Sequence, residues 1–151
     1  MKRFFFCLTM VFAGLCSYAQ QGLHVNELFE GRIIPQERMV ETRVRGKTLA
    51  KYHLSYYRSL RFTASEEEAE RVRLLVEEDG KGLSGSWLSL SEGRSNSKTY
   101  KVQVRKTDDK NCFLCCQTQW KGNQTERHVT VIYMEGSIDS LQQLEEVLKS
   151  E

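Results

Sequence analysis

The sequence predicts an α+β domain: an antiparallel sheet of about five to six strands with two main helices packed on one face. Several segments alternate apolar and polar side chains and are joined by short polar connections, a pattern typical of antiparallel strands. Residues 66–79 and a segment that follows Asp139 instead repeat apolar side chains at helical spacing. The order is strands, a helix, three or four strands and a second helix, which favours helices packed against a sheet.

The first part of the chain contains two candidate strands. Residues 39–45 place Val40 and Val44 on one side, and β-branched residues favour extended structure. Residues 56–62 place aromatic and aliphatic side chains on one face, as a half-buried strand does. Residues 47–54 lie between them and fit either a helical turn or an extended segment, so both interpretations stay open.

The clearest helix covers residues 66–79. Ser65 is its predicted N-cap and Glu68 stands three residues further on, so the two residues form a capping box. Three consecutive glutamates occupy the first turn, where they favour the positive end of the helix dipole, and Gly80 is a suitable residue after the last turn. The apolar residues at helical spacing are Ala69, Val72, Leu75 and Val76.

The second part of the chain contains further candidate strands that are joined by polar turns. They cover residues 84–90, 100–105, 112–120 and 127–134. Gly136 is expected to break the last strand. Asp139 is the expected N-cap of the final helix, with Gln142 at the third helical position and leucines along the buried face.

The beginning of the chain has the three parts of a secretory signal peptide. Lys2 and Arg3 form a positive start, residues 4–15 are apolar and uncharged, and small side chains precede a predicted cut between Ala19 and Gln20. The apolar run is shorter than the about 20 residues that a membrane-spanning helix needs. The pattern therefore predicts cleavage and export.

Cleavage at this point gives the predicted organisation: a signal peptide at residues 1–19 and a single α+β domain at residues 20–151. We expect a periplasmic or secreted protein without an integral membrane span. Removal of Lys2 and Arg3 from the 22 basic residues leaves 20, which equals the 20 acidic residues and gives a net charge of zero. Overall charge thus gives no support to a nucleic-acid partner.

Three stretches of the sequence carry a resemblance to a known group of proteins. They are Tyr18-Ala19-Gln20 at the signal end, the stretch from Arg45-Gly46-Lys47 to Phe62, and the strand-Gly-helix ending from Val129 to Leu148. In layout the chain resembles small exported Bacteroidetes proteins of unknown function, over most of the mature part. The resemblance implies an envelope or secreted location and an uncharacterised role, and it carries over no functional residue.

The sequence lacks the motifs of the common catalytic sites. It contains no G-x-S-x-G elbow, no H-E-x-x-H pair and no P-loop. Its serines cluster in the Gly-rich segment 82–97, where solvated turns account for them. We therefore expect no enzymatic activity and no cofactor.

Cys112, Cys115 and Cys116 form the cluster that offers thiol or metal chemistry. A zinc site needs further ligands, and His128 on the neighbouring predicted strand is the residue placed to join them. Alternation along a strand puts Cys112 and Cys116 on one side and Cys115 on the other, so no disulfide is expected among them. Buried cysteines behave as small apolar residues, which favours a structural role. A thiol- or metal-dependent protein is the alternative.

Binding is the leading functional hypothesis: a non-catalytic interaction module of the bacterial envelope. Between Gly31 and Arg61 eight lysines and arginines stand against two glutamates, with tyrosines interleaved. An acidic glycan, a lipopolysaccharide phosphate or an acidic envelope protein would suit this basic segment. Helix 66–79 has the opposite charge bias, and compensation between the two segments is favoured over binding as the explanation. The candidate binding residues are Arg43, Arg45, Lys47, Lys51, Tyr52, Tyr56 and Arg58.

Overall fold

The computed structural model describes most of the chain after the predicted signal peptide. The described residues are 23–81, 85–92, 95–106, 109–122 and 124–149. Within this part, the side chains of residues 85–95 and 148–149 are outside the description. The predicted signal peptide at residues 1–19 also lies outside the described residues.

The described residues form a six-stranded antiparallel sheet with the order β1-β2-β6-β5-β4-β3. The strands are β1 Met39–Arg45, β2 Leu54–Ala64, β3 Gly85–Glu92, β4 Ser95–Lys106, β5 Asn111–Lys121 and β6 Arg127–Gly136. The last strand, β6, inserts between β2 and β5 and so joins the N-terminal hairpin to the meander formed by β3, β4 and β5. The prediction of an antiparallel sheet is confirmed.

Helices occur before, within and after this sheet. The α-helices of the described chain are α1 Asn26–Phe29, α2 Glu66–Asp79 and α3 Leu141–Lys149, with short 3-10 helices at Gln36–Arg38 and Lys47–Tyr52. Most of the ambiguous segment 47–54 is therefore a helical turn, and its last residue, Leu54, begins β2. The turn starts after Gly46, which has a φ of 86°, and it ends at His53, whose φ of 58° turns the chain into the strand.

The predicted N-cap is found in α2 but not in α3. In α2 the capping box is formed as predicted, because Glu68 N–H donates to Ser65 Oγ at 3.1 Å and Ser65 N–H donates to Glu68 Oε2 at 3.0 Å. In α3 the predicted cap, Asp139, is wrong. Gln143 N–H donates to Ser140 Oγ at 3.2 Å, since the helix begins at Leu141 and its cap is the residue directly before it.

The helices α2 and α3 lie on opposite faces of the sheet. Leu114 of β5 packs in one cluster with Val72 of α2, whereas its neighbour Phe113 packs in a second cluster with Leu144 of α3. Successive residues of a strand point to opposite faces, so these clusters define an α2 face and an α3 face. The prediction that both helices pack on one face is wrong, because β5 is apolar on both sides and each side requires its own cover.

The N-terminal segment is tied to the end of α2 by one buried carboxylate. Asp79 accepts hydrogen bonds from the backbone N–H groups of His24 at 2.6 Å and Val25 at 2.8 Å. The apolar residues that follow, Leu28 and Phe29 among them, are buried in the cluster of the α2 face. This contact places α1 against the sheet beside α2, so the α2 face is covered by two helices.

Gly136 is required where β6 meets the turn before β2. A Cβ atom at this position would lie 2.2 Å from the carbonyl oxygen of His53 and 2.9 Å from the Cα of Leu54. We expect Gly136→Ala to lower the free energy of unfolding by about 3 kcal/mol in urea denaturation, because backbone atoms must move to admit the methyl group.

Gly122→Ala is the matched control for this prediction. Gly122 has a φ of 44°, and no atom of the described residues would lie within 4 Å of a Cβ at this position, so the left-handed backbone is what opposes the methyl group. This variant is expected to lose about 1 kcal/mol. Equal losses in the two variants would contradict the close approach at Gly136.

Candidate functional site

The structure brings four of the seven predicted binding residues together on the α2 face, along the edge strand β1 and its neighbour β2. Arg43 lies opposite Arg58 in the strand register, and Arg45 lies opposite Tyr56. The Arg45 guanidinium is 4.7 Å from the centre of the Tyr56 ring. Tyr56 itself is buried in the cluster of the α2 face, so its ring is part of the hydrophobic core.

Glu41 neutralises the two opposed arginines of this group. Its carboxylate accepts a hydrogen bond from Arg43 Nε at 2.7 Å and another from Arg58 Nε. Partial burial acts to raise the pKa of Glu41, but the two arginines together lower it. The Arg58 guanidinium also lies 4.5 Å from the centre of the Phe29 ring, and its side chain is 11% exposed. Both arginines are therefore held by other groups of the protein.

The remaining three predicted binding residues lie in the 3-10 helix Lys47–Tyr52, between β1 and β2. Lys51 Nζ is 4.6 Å from the centre of the Tyr52 ring. Tyr52 packs against the apolar cluster of the α3 face, and Lys47 is exposed. The seven residues therefore do not share one face of the sheet.

Charge compensation between the basic segment and α2 runs through Arg38. Its guanidinium donates to both carboxylate oxygens of Glu68, at 3.0 and 3.1 Å. This pair, with a backbone N–H at the helix start, lowers the pKa of Glu68 to about 2. Glu70 and Glu77 instead pair with Arg73 of the same helix. Charge compensation between the basic segment and α2 therefore occurs at Arg38. Arg43 and Arg58 instead pair with Glu41 of their own segment.

The three cysteines of β5 are distributed as alternation predicts. Cys112 and Cys116 are buried on the α2 face, while Cys115 is partly buried on the α3 face, and all three are free thiols. Burial raises the pKa of Cys112 and of Cys115, and it raises the pKa of Cys116 to about 12. Each thiol is therefore a weaker nucleophile at neutral pH than an ordinary exposed cysteine.

The structure does not bring His128 to the thiols. Its side chain is on the α3 face, so the sheet separates it from Cys112 and Cys116. Cys115 shares that face but lies opposite Ile132, about 13 Å along β6 from His128. Among the described residues, no three His, Cys, Asp or Glu side chains come together in a way that could hold a metal ion.

Outside the area covered by α3, the same face forms an open polar groove of about 500 Å³. Its floor is made of side chains from the adjacent strands β2, β6 and β5, and the strand register sets them in two rows. The rows are Arg61, Thr130 and Gln117, and Thr63, His128 and Gln119. Neighbouring strands are about 4.8 Å apart, so each row is about 10 Å wide.

Several polar side chains of the groove have no hydrogen-bond partner within the described chain. The Arg61 guanidinium, the His128 ring and the amides of Gln117 and Gln119 have no side-chain hydrogen bond or ion pair within the described chain. No carboxylate stands among its described lining residues, and Arg38 at the border is already paired with Glu68, so Arg61 carries the available positive charge. The groove can therefore donate several hydrogen bonds and attract an anion.

Sequence reasoning missed this groove, although the sequence contains a signal for it. The α3-face positions of β5 are apolar at Phe113 and Cys115 and then change to Gln117 and Gln119. Such a change along one face of a strand indicates that the apolar cover ends there. Which other strands lie beside these glutamines follows from the sheet order.

The burial of the thiols predicts a definite order of modification. At pH 8 we expect Cys115 to react first with Ellman's reagent and Cys112 and Cys116 to react about tenfold more slowly, because Cys115 is partly exposed whereas the other two thiols are buried. Unfolding in guanidinium should expose all three thiols at once. Rapid reaction of Cys116 in the native protein, a disulfide among the three, or stoichiometric zinc in the sample would contradict a structural role.

Comparison with known proteins adds a family but no function. In the part of the chain that the structure describes, no helix is both long and apolar enough to cross a bilayer. The chain has no significant match among curated proteins. A family described as "Family of unknown function (DUF6108)" matches residues 12–148, which is most of the sequence. The chain therefore belongs to the DUF6108 family, whose function is unknown.

Proposed function

We propose that this protein is an exported, non-catalytic binding module of the bacterial envelope that holds an acidic saccharide in the polar groove of the α3 face. The observation that carries the proposal is the unpaired Arg61 beside His128 and two glutamine amides, in a groove with no carboxylate among its described lining residues. A guanidinium binds a carboxylate or a phosphate through two parallel hydrogen bonds. Amide and imidazole groups exchange hydrogen bonds with sugar hydroxyls.

The shape of the groove supports a saccharide over an apolar ligand. It is shallow and open, and its floor presents hydroxyl, amide, imidazole and guanidinium groups from three strands. An apolar molecule would remove these groups from water without replacing their hydrogen bonds, which is unfavourable. A sugar ring offers a hydroxyl to several of them at once and leaves its other side in solvent.

The arrangement of groups supports binding rather than catalysis. His128 lies opposite Thr63 and Gln119 in the strand register, and neither neighbour is a carboxylate that could orient its ring for acid–base chemistry. Cys115, the thiol on this face, lies in the area under α3 and not in the groove. Thr63 places a hydroxyl beside His128, but no described groove residue supplies the third, orienting group that would make His128 an effective base for it.

Export is the part of the proposal that rests on the first 19 residues. We expect the protein recovered from the cell envelope or medium to begin at or next to Gln20, because the positive start, the short apolar run and the small residues fit signal cleavage. Intact-mass measurement checks this. Recovery of the chain with Met1 from the cytoplasmic fraction would contradict it.

Binding in the groove is tested with a galacturonic acid trimer, using the neutral galactose trimer as the matched ligand. We expect saturable binding of the acidic trimer in calorimetry and weaker binding as salt rises, because ions screen exposed charges. Arg61→Gln should lower the affinity about tenfold, since it removes a charged hydrogen-bond donor. Gln119→Ala should lower the affinity for both trimers.

Arg71→Gln is the control for charge alone, because Arg71 is an exposed arginine on α2, away from the groove. It should leave the affinity unchanged. The double variant Arg43→Glu with Arg45→Glu tests the basic group on the α2 face. Loss of binding in that variant, with Arg61→Gln unaffected, would move the site to the basic group and contradict the groove. Absence of binding to the acidic trimer and to a phosphorylated hexose would overturn the proposal.

A further inference from the structure

A second, apolar cavity of about 190 Å³ lies between α3 and the sheet, and we call it the α3 cavity. It is formed where α3 crosses the end of β5 and β6 that is apolar on both faces. Its main walls are Cys115 of β5, Ile132 and Met134 of β6, and Leu141 and Leu144 of α3. These side chains offer almost no hydrogen-bonding groups, in contrast to the groove on the same face.

The charged groups at the border of the α3 cavity satisfy each other. Lys101 Nζ on β4 donates a hydrogen bond to Glu145 Oε1 on α3 at 2.8 Å. The two charges cancel, so the border attracts neither an anion nor a cation strongly. A ligand of this cavity should therefore be neutral. The Lys101–Glu145 pair also connects the helix to the sheet next to the cavity, which limits the size of what can enter.

We propose that the α3 cavity is a binding site for a small, neutral, apolar molecule of the size of one or two aromatic rings. An apolar cavity of about 150 Å³ in a protein stays dry and binds benzene, and the α3 cavity is somewhat larger. Met134 adds a flexible and polarizable wall that adapts to the shape of a ligand. The site shares no lining residue with the groove, so it does not depend on saccharide binding.

The test uses the folded chain, with benzene and indole as the probes and NMR as the measurement. We expect saturable chemical-shift changes in the amides of α3 and in the methyl groups of Ile132 and Leu144. Cys115→Phe should weaken binding at least about tenfold, because its ring occupies the cavity. Thr42→Phe is the matched control, since Thr42 is exposed on the same face and does not line the cavity.

A second readout uses the unmodified chain, so that it does not depend on the folding of the Cys115→Phe variant. Saturating indole should slow the reaction of Cys115 with methyl methanethiosulfonate about fivefold, because the thiol is a wall of the site. Cys112, which lies on the α2 face, should react at its former rate. Absence of saturable shifts with both probes, full affinity in a folded Cys115→Phe variant, or unchanged reactivity of Cys115 would each overturn the proposal.

Discussion

The unequal cover of the two central strands determines most of what this molecule offers to a ligand. The α2 face of β5 and β6 is apolar along much of its length, but their α3 face is apolar only near one end. Helix α3 has nine residues and is about 14 Å long, whereas β5 has eleven residues and is about 36 Å long. The helix therefore covers part of one face, and the rest of that face remains as the polar groove.

The same two-sided burial gives the cysteines their environment. Cys112 and Cys116 occupy positions that the α2 face needs to be apolar, and Cys115 occupies one that α3 covers. Burial raises the pKa of all three thiols, so their environment opposes the thiolate that redox or metal chemistry requires. The short spacing of the cysteines in sequence thus reflects packing on two faces of one strand.

Whether an arginine of this protein is available to a ligand depends on the carboxylates beside it. Arg43 and Arg58 share Glu41, and Arg38 takes both carboxylate oxygens of Glu68, so these arginines connect parts of the fold. Exposed pairs of this kind contribute little stability individually, but they leave few charges for a ligand. Arg61 belongs to the same basic segment, yet it points to the α3 face. There it lies in the polar groove, whose described lining residues include no carboxylate.

The sequence by itself determined the antiparallel sheet, the extent of α2 with its capping box, and the alternation that separates Cys115 from Cys112 and Cys116, because each depends on residues close together in the chain. The tertiary structure decided the rest. It placed α2 and α3 on opposite faces, and it inserted β6 between β2 and β5, which brings Arg61, His128 and Gln119 into one groove. Strand order and the choice of face depend on contacts between distant segments, which local periodicity does not specify.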